Sequence, residues 1–167
     1  MIINISCNFD MLTGISFNEE KFENIAKTIV KNIISSDIIT LSPLSNYNLE
    51  KEISIDILLT DNKKIHNINK EFRKKDTPTD VITFALFVDT PPEFRMLPPD
   101  EIPLGEIIIS LEKIKEQAVQ NNKSFEAELN FILAHGILHL FGFDHLTDKD
   151  LEIMIDMQNK LVEMIDV

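Results

Sequence analysis

The stretch HGILHLFGFDH, residues 135–145, contains three of the four histidines in this chain of 167 residues. His135 and His139 are four residues apart, so on an α-helix their side chains lie on the same face, one turn from each other. His145 follows six residues later. Three imidazole ligands with an open fourth position are typical of a catalytic zinc site. The stretch therefore predicts a metal site formed by His135, His139 and His145, on and just after one helix.

Gly142 lies three residues after His139, where a helix can end in a left-handed turn that glycine adopts at little cost. Such a turn reverses the chain and can bring His145 back beside the first two histidines. The alternative is three unrelated histidines on an amphipathic helix and its exit loop. The spacing and the glycine favour the metal site.

The composition is that of a globular protein, with 44% hydrophobic residues. Its length predicts one domain, residues 1–167, with a substantial core. No apolar run approaches the roughly 18 residues of a membrane helix, and the N-terminus lacks the features of a signal peptide. The single cysteine, Cys7, cannot form an internal disulfide. We therefore expect a cytoplasmic protein without a membrane partner.

The net charge of −12 argues against a protein that coats nucleic acid through its overall field. Six of the sixteen basic residues nevertheless lie within residues 63–75, opposed only by Glu71. They are Lys63, Lys64, Lys70, Arg73, Lys74 and Lys75. A solvated helix face explains this run equally well. It indicates a nucleic-acid partner only if it lies near the metal.

The order of predicted elements indicates an α+β fold, a small mixed β-sheet with helices packed on it. Hydrophobic periodicity and capping residues predict the elements. Strands are expected over residues 1–7, 53–59, 79–87 and 104–110, and helices over 18–34, 61–72, 110–120, 124–142 and 147–165. Five prolines in residues 88–103 predict a loop there, with neither a helix interior nor a central strand. His66, in the second helix, is expected at the surface or rim rather than among the ligands.

The histidine spacing resembles the metal frame of the metzincin proteases. In those enzymes a glutamate follows the first histidine and acts as general base on water. Here that position is Gly136. The main argument for peptide hydrolysis is therefore lost, whereas a metal that activates water remains. A different hydrolysis is indicated.

Residues 135–145 also resemble the signature of the YbeY family of bacterial metal-dependent endoribonucleases. Two further blocks agree with this family: FRKKDTPTDVITF, residues 72–84, and LGEIIIS, residues 104–110. The blocks lie in the expected order, and the resemblance extends from about Glu52 to the C-terminus. Glu106, where the family usually has aspartate, and Phe143, where tyrosine is common, depart from the pattern without involving a proposed ligand.

The resemblance implies one zinc ion, or another transition ion such as Ni²⁺, on His135, His139 and His145. It implies single-stranded RNA as substrate and a role in ribosomal RNA maturation, at the 3′ end of 16S rRNA, and in ribosome quality control. The ribosome or ribosome-associated proteins are the partners that it implies. We therefore interpret the chain as a metal-dependent hydrolase, an endoribonuclease that acts on phosphodiester bonds.

Arg73 matches the family's functionally important arginine, which makes it the candidate catalytic residue. A guanidinium can hold a phosphate with two hydrogen bonds and stays charged throughout. Residues 76–80 are expected to shape the turn that presents Arg73. Asp144 either orients a ligand imidazole or stabilises the turn after Gly142. No glutamate follows His135 to accept the proton of the attacking water. The RNA itself or a second water is therefore the expected proton acceptor.

Two other functions fit parts of the sequence. One is a ribosome-assembly factor that binds RNA or protein and holds a mainly structural metal. The other, less favoured, is a metalloprotease. A fourth protein ligand would mark a structural site, whereas a catalytic site leaves one position open.

Overall fold

The computed structural model describes residues 2–10, 14–95, 98 and 100–165. Its four strands are β1 (Ile3–Phe9), β2 (Glu52–Thr60), β3 (Val81–Phe84) and β4 (Glu101–Ser110). Its α-helices are α1 (Glu19–Ser35), α2 (Asn62–Arg73), α3 (Leu86–Asp89), α4 (Leu111–Gln120), α5 (Phe125–Leu140) and α6 (Asp148–Glu163). Short 3-10 helices span Asp37–Leu41, Pro43–Asn46 and Pro92–Phe94.

The strands form one mixed sheet in the order β1-β2-β4-β3. β1, β2 and β4 are parallel, and β3 pairs antiparallel with β4 at the edge. Because alternate residues of a strand point to opposite faces, Ile108 packs with Ile65 of α2, whereas Ile107 belongs to the larger core that contains α1 and α5. The predicted α+β class with a small mixed sheet is confirmed.

The five longer helices begin at the polar residues that predicted them. Each cap side chain accepts a hydrogen bond from a backbone N–H of the first turn, which otherwise has no partner inside the helix. The caps are Asn18, Asp61, Ser110, Ser124 and Thr147. Thr147 and Asp150 form a reciprocal capping box. The starts of these helices are therefore specified locally.

Helix α5 is the central helix of the larger core and is apolar on almost every side. It reaches the sheet at Gly136, where an added Cβ would lie 3.0 Å from Cγ2 of Ile107 and 3.4 Å from Cγ2 of Thr83. Any side chain at this position would press on β3 and β4. The approach fixes the height of the flanking His135 and His139 above the sheet.

The predicted strand over residues 79–87 is too long. β3 ends at Phe84, and α3 follows as a single helical turn. The N–H of Asp89 donates to the Ala85 carbonyl at 2.9 Å and closes this turn. Phe87 is buried there against the ring of Tyr47, with centroids 5.0 Å apart. A short apolar run does not distinguish a strand from a buried helical turn.

The prediction that residues 88–103 contain no central strand is wrong at its end. β4 begins at Glu101 and includes Pro103, which pairs with Ser54 beside an irregularity in the ladder. Pro103 fits because β3 pairs with β4 only from Glu106 onward, so one side of β4 has no strand neighbour at Pro103. Met1, which was predicted to begin the first strand, lies outside the described residues. Pro99 of the predicted loop also lies outside them.

Two expectations from composition concern membrane-spanning helices and the single cysteine. In the described part of the chain, no helix combines the length and the apolar character needed to cross a membrane. Cys7 is a free cysteine on β1. Burial, with the nearby Glu23 and Glu19 carboxylates, raises the pKa of its thiol to about 12, so it stays protonated at neutral pH.

Gly136→Glu tests the close approach of α5 to the sheet. The new side chain must displace Ile107, and overpacking of this kind costs about 1–3 kcal/mol. We expect the melting temperature to fall by about 2–12 °C for a chain of this size, measured by circular dichroism. Val119→Glu, on the exposed surface of α4, is the control and should melt like the wild type. A wild-type melting temperature for Gly136→Glu would contradict the close packing.

Candidate metal centre

The three histidines of residues 135–145 lie together. One ring nitrogen from each of His135, His139 and His145 lies within 4.8 Å of the others. The Nε2 atoms of His135 and His139 are 3.0 Å apart. Two ligands of a tetrahedral zinc ion at 2.0–2.1 Å would be about 3.3 Å apart. The His135–His139 pair therefore needs only a slight opening to hold a small tetrahedral ion, and His145 lies near enough to supply a third nitrogen.

The turn after α5 returns the chain to the first two histidines. The N–H of Gly142 donates to the His139 carbonyl at 2.9 Å, and the N–H of Phe143 donates to the Leu138 carbonyl at 3.1 Å. This pair of bonds is the Schellman ending of a helix. Gly142 has φ +86°, the left-handed conformation that the sequence predicted. An added Cβ would lie 2.8 Å from Cδ of Pro43, so both conformation and space require glycine.

The environment keeps the first two histidines neutral. Burial, together with the neighbouring His135 and His145, lowers the pKa of His139 to about 4. Burial also lowers the pKa of His135, against a hydrogen bond with Gln158 that raises it. A neutral imidazole offers a lone pair without first losing a proton. Both rings are therefore ready to bind a metal ion at neutral pH.

Gln158 of α6 orients His135. Its Oε1 lies 3.2 Å from Nδ1 of His135, and its Nε2 donates to the Phe131 carbonyl at 3.2 Å. Because the second bond fixes which end of the amide faces the ring, Nδ1 of His135 must be the donor. Its Nε2 lone pair then faces the other histidines. The predictions missed Gln158; a buried polar residue in the apolar stripe of α6, beside Met154 and Leu161, is the signal that could have revealed it.

The histidines open onto a cavity of about 610 Å³, which Arg73 also lines. Arg73 ends α2, and its side chain forms no hydrogen bond or ion pair with any residue that the structure describes. Its guanidinium is therefore available to an anion in the cavity. The structure brings together all four residues proposed from the sequence, although Arg73 precedes His135 by more than sixty residues.

Three carboxylates line the same cavity, from Asp80, Asp89 and Asp144. Asp144 accepts a hydrogen bond from the backbone N–H of His145 at 2.8 Å, which supports the turn-stabilising role. Asp80 accepts from the N–H of Val81 at 2.7 Å and from Nε2 of Gln117 at 3.1 Å. It was expected only to shape a turn, yet its negative charge also acts on His135, where it offsets part of the lowering of the pKa by burial. Its place in the cavity was missed, because nothing local in the sequence points to it.

His66 is not part of the histidine cluster. Its Nε2 lies 2.8 Å from Asp76, whose other carboxylate oxygen is 2.9 Å from Nζ of Lys70. The hydrogen bonds from Lys70 and His66 lower the pKa of the Asp76 carboxyl. Asp76 thus ties the turn after α2 back to the helix. This arrangement agrees with the expected surface position of His66.

Comparison with known proteins gives consistent matches over most of the chain. The family model described as "Endoribonuclease YbeY" matches residues 14–166. The proteins named Endoribonuclease YbeY from Bacillus pumilus and Agathobacter rectalis are 44% and 34% identical. The first alignment covers 69% of this chain and 74% of that protein, and the second covers 98% and 94%.

A solved structure agrees with the sequence matches. The solution structure of a Thermotoga maritima protein superposes with a TM-score of 0.59 at 28% identity, over 98% of this chain and 89% of that one. The family matches place the chain among the hydrolases that act on RNA. It belongs to the endoribonuclease YbeY family, as residues 72–84, 104–110 and 135–145 had indicated.

Gln158→Leu tests the orientation of His135. The apolar side chain cannot accept the Nδ1 hydrogen, and loss of such a partner lowers metal affinity about 10- to 100-fold. Zinc affinity is measured by competition with a chromogenic chelator. Gln158→Glu keeps an acceptor oxygen and should stay closer to the wild type. Unchanged zinc affinity in Gln158→Leu, with the fold retained, would contradict the orienting role.

Gly142→Val tests the turn. A β-branched residue is strained at φ +86° and would collide with Pro43. We expect zinc affinity to fall by more than tenfold, roughly the effect of losing 1.4 kcal/mol at one ligand, while most of the far-ultraviolet circular dichroism remains. Equal effects on metal affinity and on the free energy of unfolding, or an effect on neither, would contradict this role.

Proposed function

We propose that this endoribonuclease cleaves single-stranded RNA with one transition-metal ion on His135, His139 and His145, and with Arg73 holding the phosphate. The observation that carries the proposal is the shared cavity, which contains the three imidazoles and an unpaired guanidinium. In a metal-dependent hydrolysis of this kind, the ion would activate water and a cation would fix the phosphodiester.

The donor set supports zinc or a similar ion. Imidazole nitrogens suit zinc, nickel and copper rather than magnesium or calcium, which take oxygen ligands. When bound, such an ion lowers the pKa of water and polarises a phosphoryl oxygen. In the described residues no carboxylate or thiolate joins the three nitrogens within ligand distance. This favours a site with an open position over a closed structural one.

The charges around the cavity indicate that RNA binds when a metal ion is present on the histidines. One cation, Arg73, faces three carboxylates, from Asp80, Asp89 and Asp144. Without a bound ion the carboxylates outnumber the single guanidinium, and this wall repels a phosphate. A divalent ion offsets the excess of negative charge, and Arg73 can then hold two phosphate oxygens through its planar fork. The protein positions the ion-binding histidines and Arg73 so that the RNA phosphate is held between them.

The two rival functions are less well supported. A metalloprotease of the metzincin kind needs a glutamate after the first histidine, and Gly136 is pressed against Ile107 there. A ribosome-assembly factor with a structural metal needs a fourth protein ligand. The histidine cluster includes none from the described ranges.

The family supports the biological setting. Relatives carry the name Endoribonuclease YbeY, which indicates an RNA substrate, and we propose maturation of ribosomal RNA, at the 3′ end of 16S rRNA, and ribosome quality control. The ribosome or proteins bound to it are the proposed partners, and the cytoplasm is the proposed location. We further propose that residues 1–167 act as one domain, since the described core residues all pack on the same sheet.

Arg73→Ala is the direct test. Loss of a charged donor from the reacting phosphate should lower kcat/KM on single-stranded RNA by about 100-fold or more. Zinc content and melting temperature should stay at wild-type values, because Arg73 has no partner in the described structure. Arg73→Lys should recover only part of the activity, since an ammonium lacks the planar fork.

Two controls complete this test. Lys31→Ala removes an exposed cation of α1, away from the cavity, and should cleave like the wild type. His139→Ala should lose zinc and cleavage together. Wild-type cleavage by Arg73→Ala would contradict the phosphate-holding role. Absence of any cleavage by the zinc-loaded wild type would contradict the proposed function.

A further inference from the structure

Phe72 is an aromatic ring left largely in water. It is 60% exposed, and only Phe94 among the phenylalanines described is comparably open. Among the residues described, its ring contacts that of Phe84, with centroids 5.4 Å apart and planes at 75°. A single exposed apolar residue needs no special explanation. The surroundings of this one distinguish it.

Phe72 and Arg73 lie on either side of the edge strand. β3 is the last strand of the sheet, and its Thr83 lines the cavity, whereas the neighbouring Phe84 belongs to the small cluster under α2. Phe72 contacts Phe84, and the next residue, Arg73, reaches the cavity. A strand of RNA that leaves the cavity over this edge therefore passes the exposed ring.

The charges around Phe72 match a polyanion. Within the described ranges, Lys74 and Lys75 are exposed and form no ion pair, although Nζ of Lys74 donates to the Glu71 carbonyl at 2.8 Å. Lys63, at the other end of α2, is also exposed and unpaired, whereas Lys64 and Lys70 pair with Asp10 and Asp76. The rest of the chain is acidic, with a net charge of −12 overall. An aromatic ring beside exposed cations is the combination by which proteins hold single-stranded nucleic acid, the ring under a base and the cations on phosphates.

We propose that Phe72 is a stacking platform for a base of the RNA that flanks the phosphate held by Arg73. The inference rests on the proposed function and deepens it. In a duplex every base is already stacked and paired, so none can lie on the ring. Phe72 then contributes to the preference for single strands, which the metal and Arg73 do not distinguish by themselves. Phe84 supports the ring from its other side.

The kinetic test compares Phe72→Ala with Phe94→Ala. Loss of one base–aromatic stack weakens binding by about 5- to 150-fold, so KM for single-stranded RNA should rise by that factor while kcat changes little. Phe94→Ala, which removes an equally exposed ring of the 3-10 turn Pro92–Phe94, should leave KM unchanged. Phe72→Tyr keeps a ring and should keep KM. A wild-type KM for Phe72→Ala would overturn the inference.

A spectroscopic test reports stacking directly. The chain has no tryptophan, so Phe72→Trp introduces a single indole whose fluorescence a stacked base quenches. A short single-stranded RNA should quench it, and a duplex of the same sequence should not. One abasic nucleotide, moved along the RNA, should relieve the quenching at one position only. Phe94→Trp is the control and should respond to none of these.

The outcomes separate this inference from the proposed function. If the wild type cleaves RNA, but Trp fluorescence of Phe72→Trp is unchanged by RNA, the stacking role is wrong and the proposed function stands. A raised KM in Phe72→Ala without quenching in Phe72→Trp would mean that Phe72 acts only by supporting Arg73, and would also overturn it. If the zinc-loaded wild type does not cleave while quenching is seen, the proposed function fails and stacking is retained.

Discussion

The close approach of α5 to the sheet at Gly136 is the constraint on which the rest of the structure depends. An added Cβ there would lie 3.0 Å from the side chain of Ile107, which would have to move to admit it. The helix is therefore held against β3 and β4, and His135 and His139 are fixed above the edge of the sheet where Arg73 can reach them. The same contact removes the general base that a protease would place beside the first histidine.

Two supports of the metal centre come from outside α5, and both are held by hydrogen bonds to that helix. Gly142 and Phe143 bond the carbonyls of its last turn, which returns the chain toward His145. Gln158 bonds the Phe131 carbonyl and thereby aligns itself with His135. The central helix α5 thus positions both the turn at Gly142 and the side chain of Gln158 from α6. Catalytic geometry generally depends on such supporting contacts.

What the sequence revealed was the part of the structure that depends on near neighbours. His135 and His139 share one helix, Gly142 ends it, and Ser124 begins it, so spacing alone was sufficient. Family resemblance added Arg73, which no local pattern joins to the histidines. Gln158 and Asp80 were missed because their partners are distant in sequence. The prediction of a loop at Pro103 was wrong, because the exclusion of proline from central strands does not hold where a neighbouring strand has already ended. The sequence does not show that β3 stops pairing before Pro103.

The order of the site's parts along the chain has a consequence for its synthesis. Arg73 and the sheet strands emerge from the ribosome first, and the amide that aligns His135 belongs to α6, the last helix described. A nascent chain without α6 has its three histidines but not the group that sets the tautomer of one of them. Full affinity for the metal ion is therefore reached only once α6 has packed on α5.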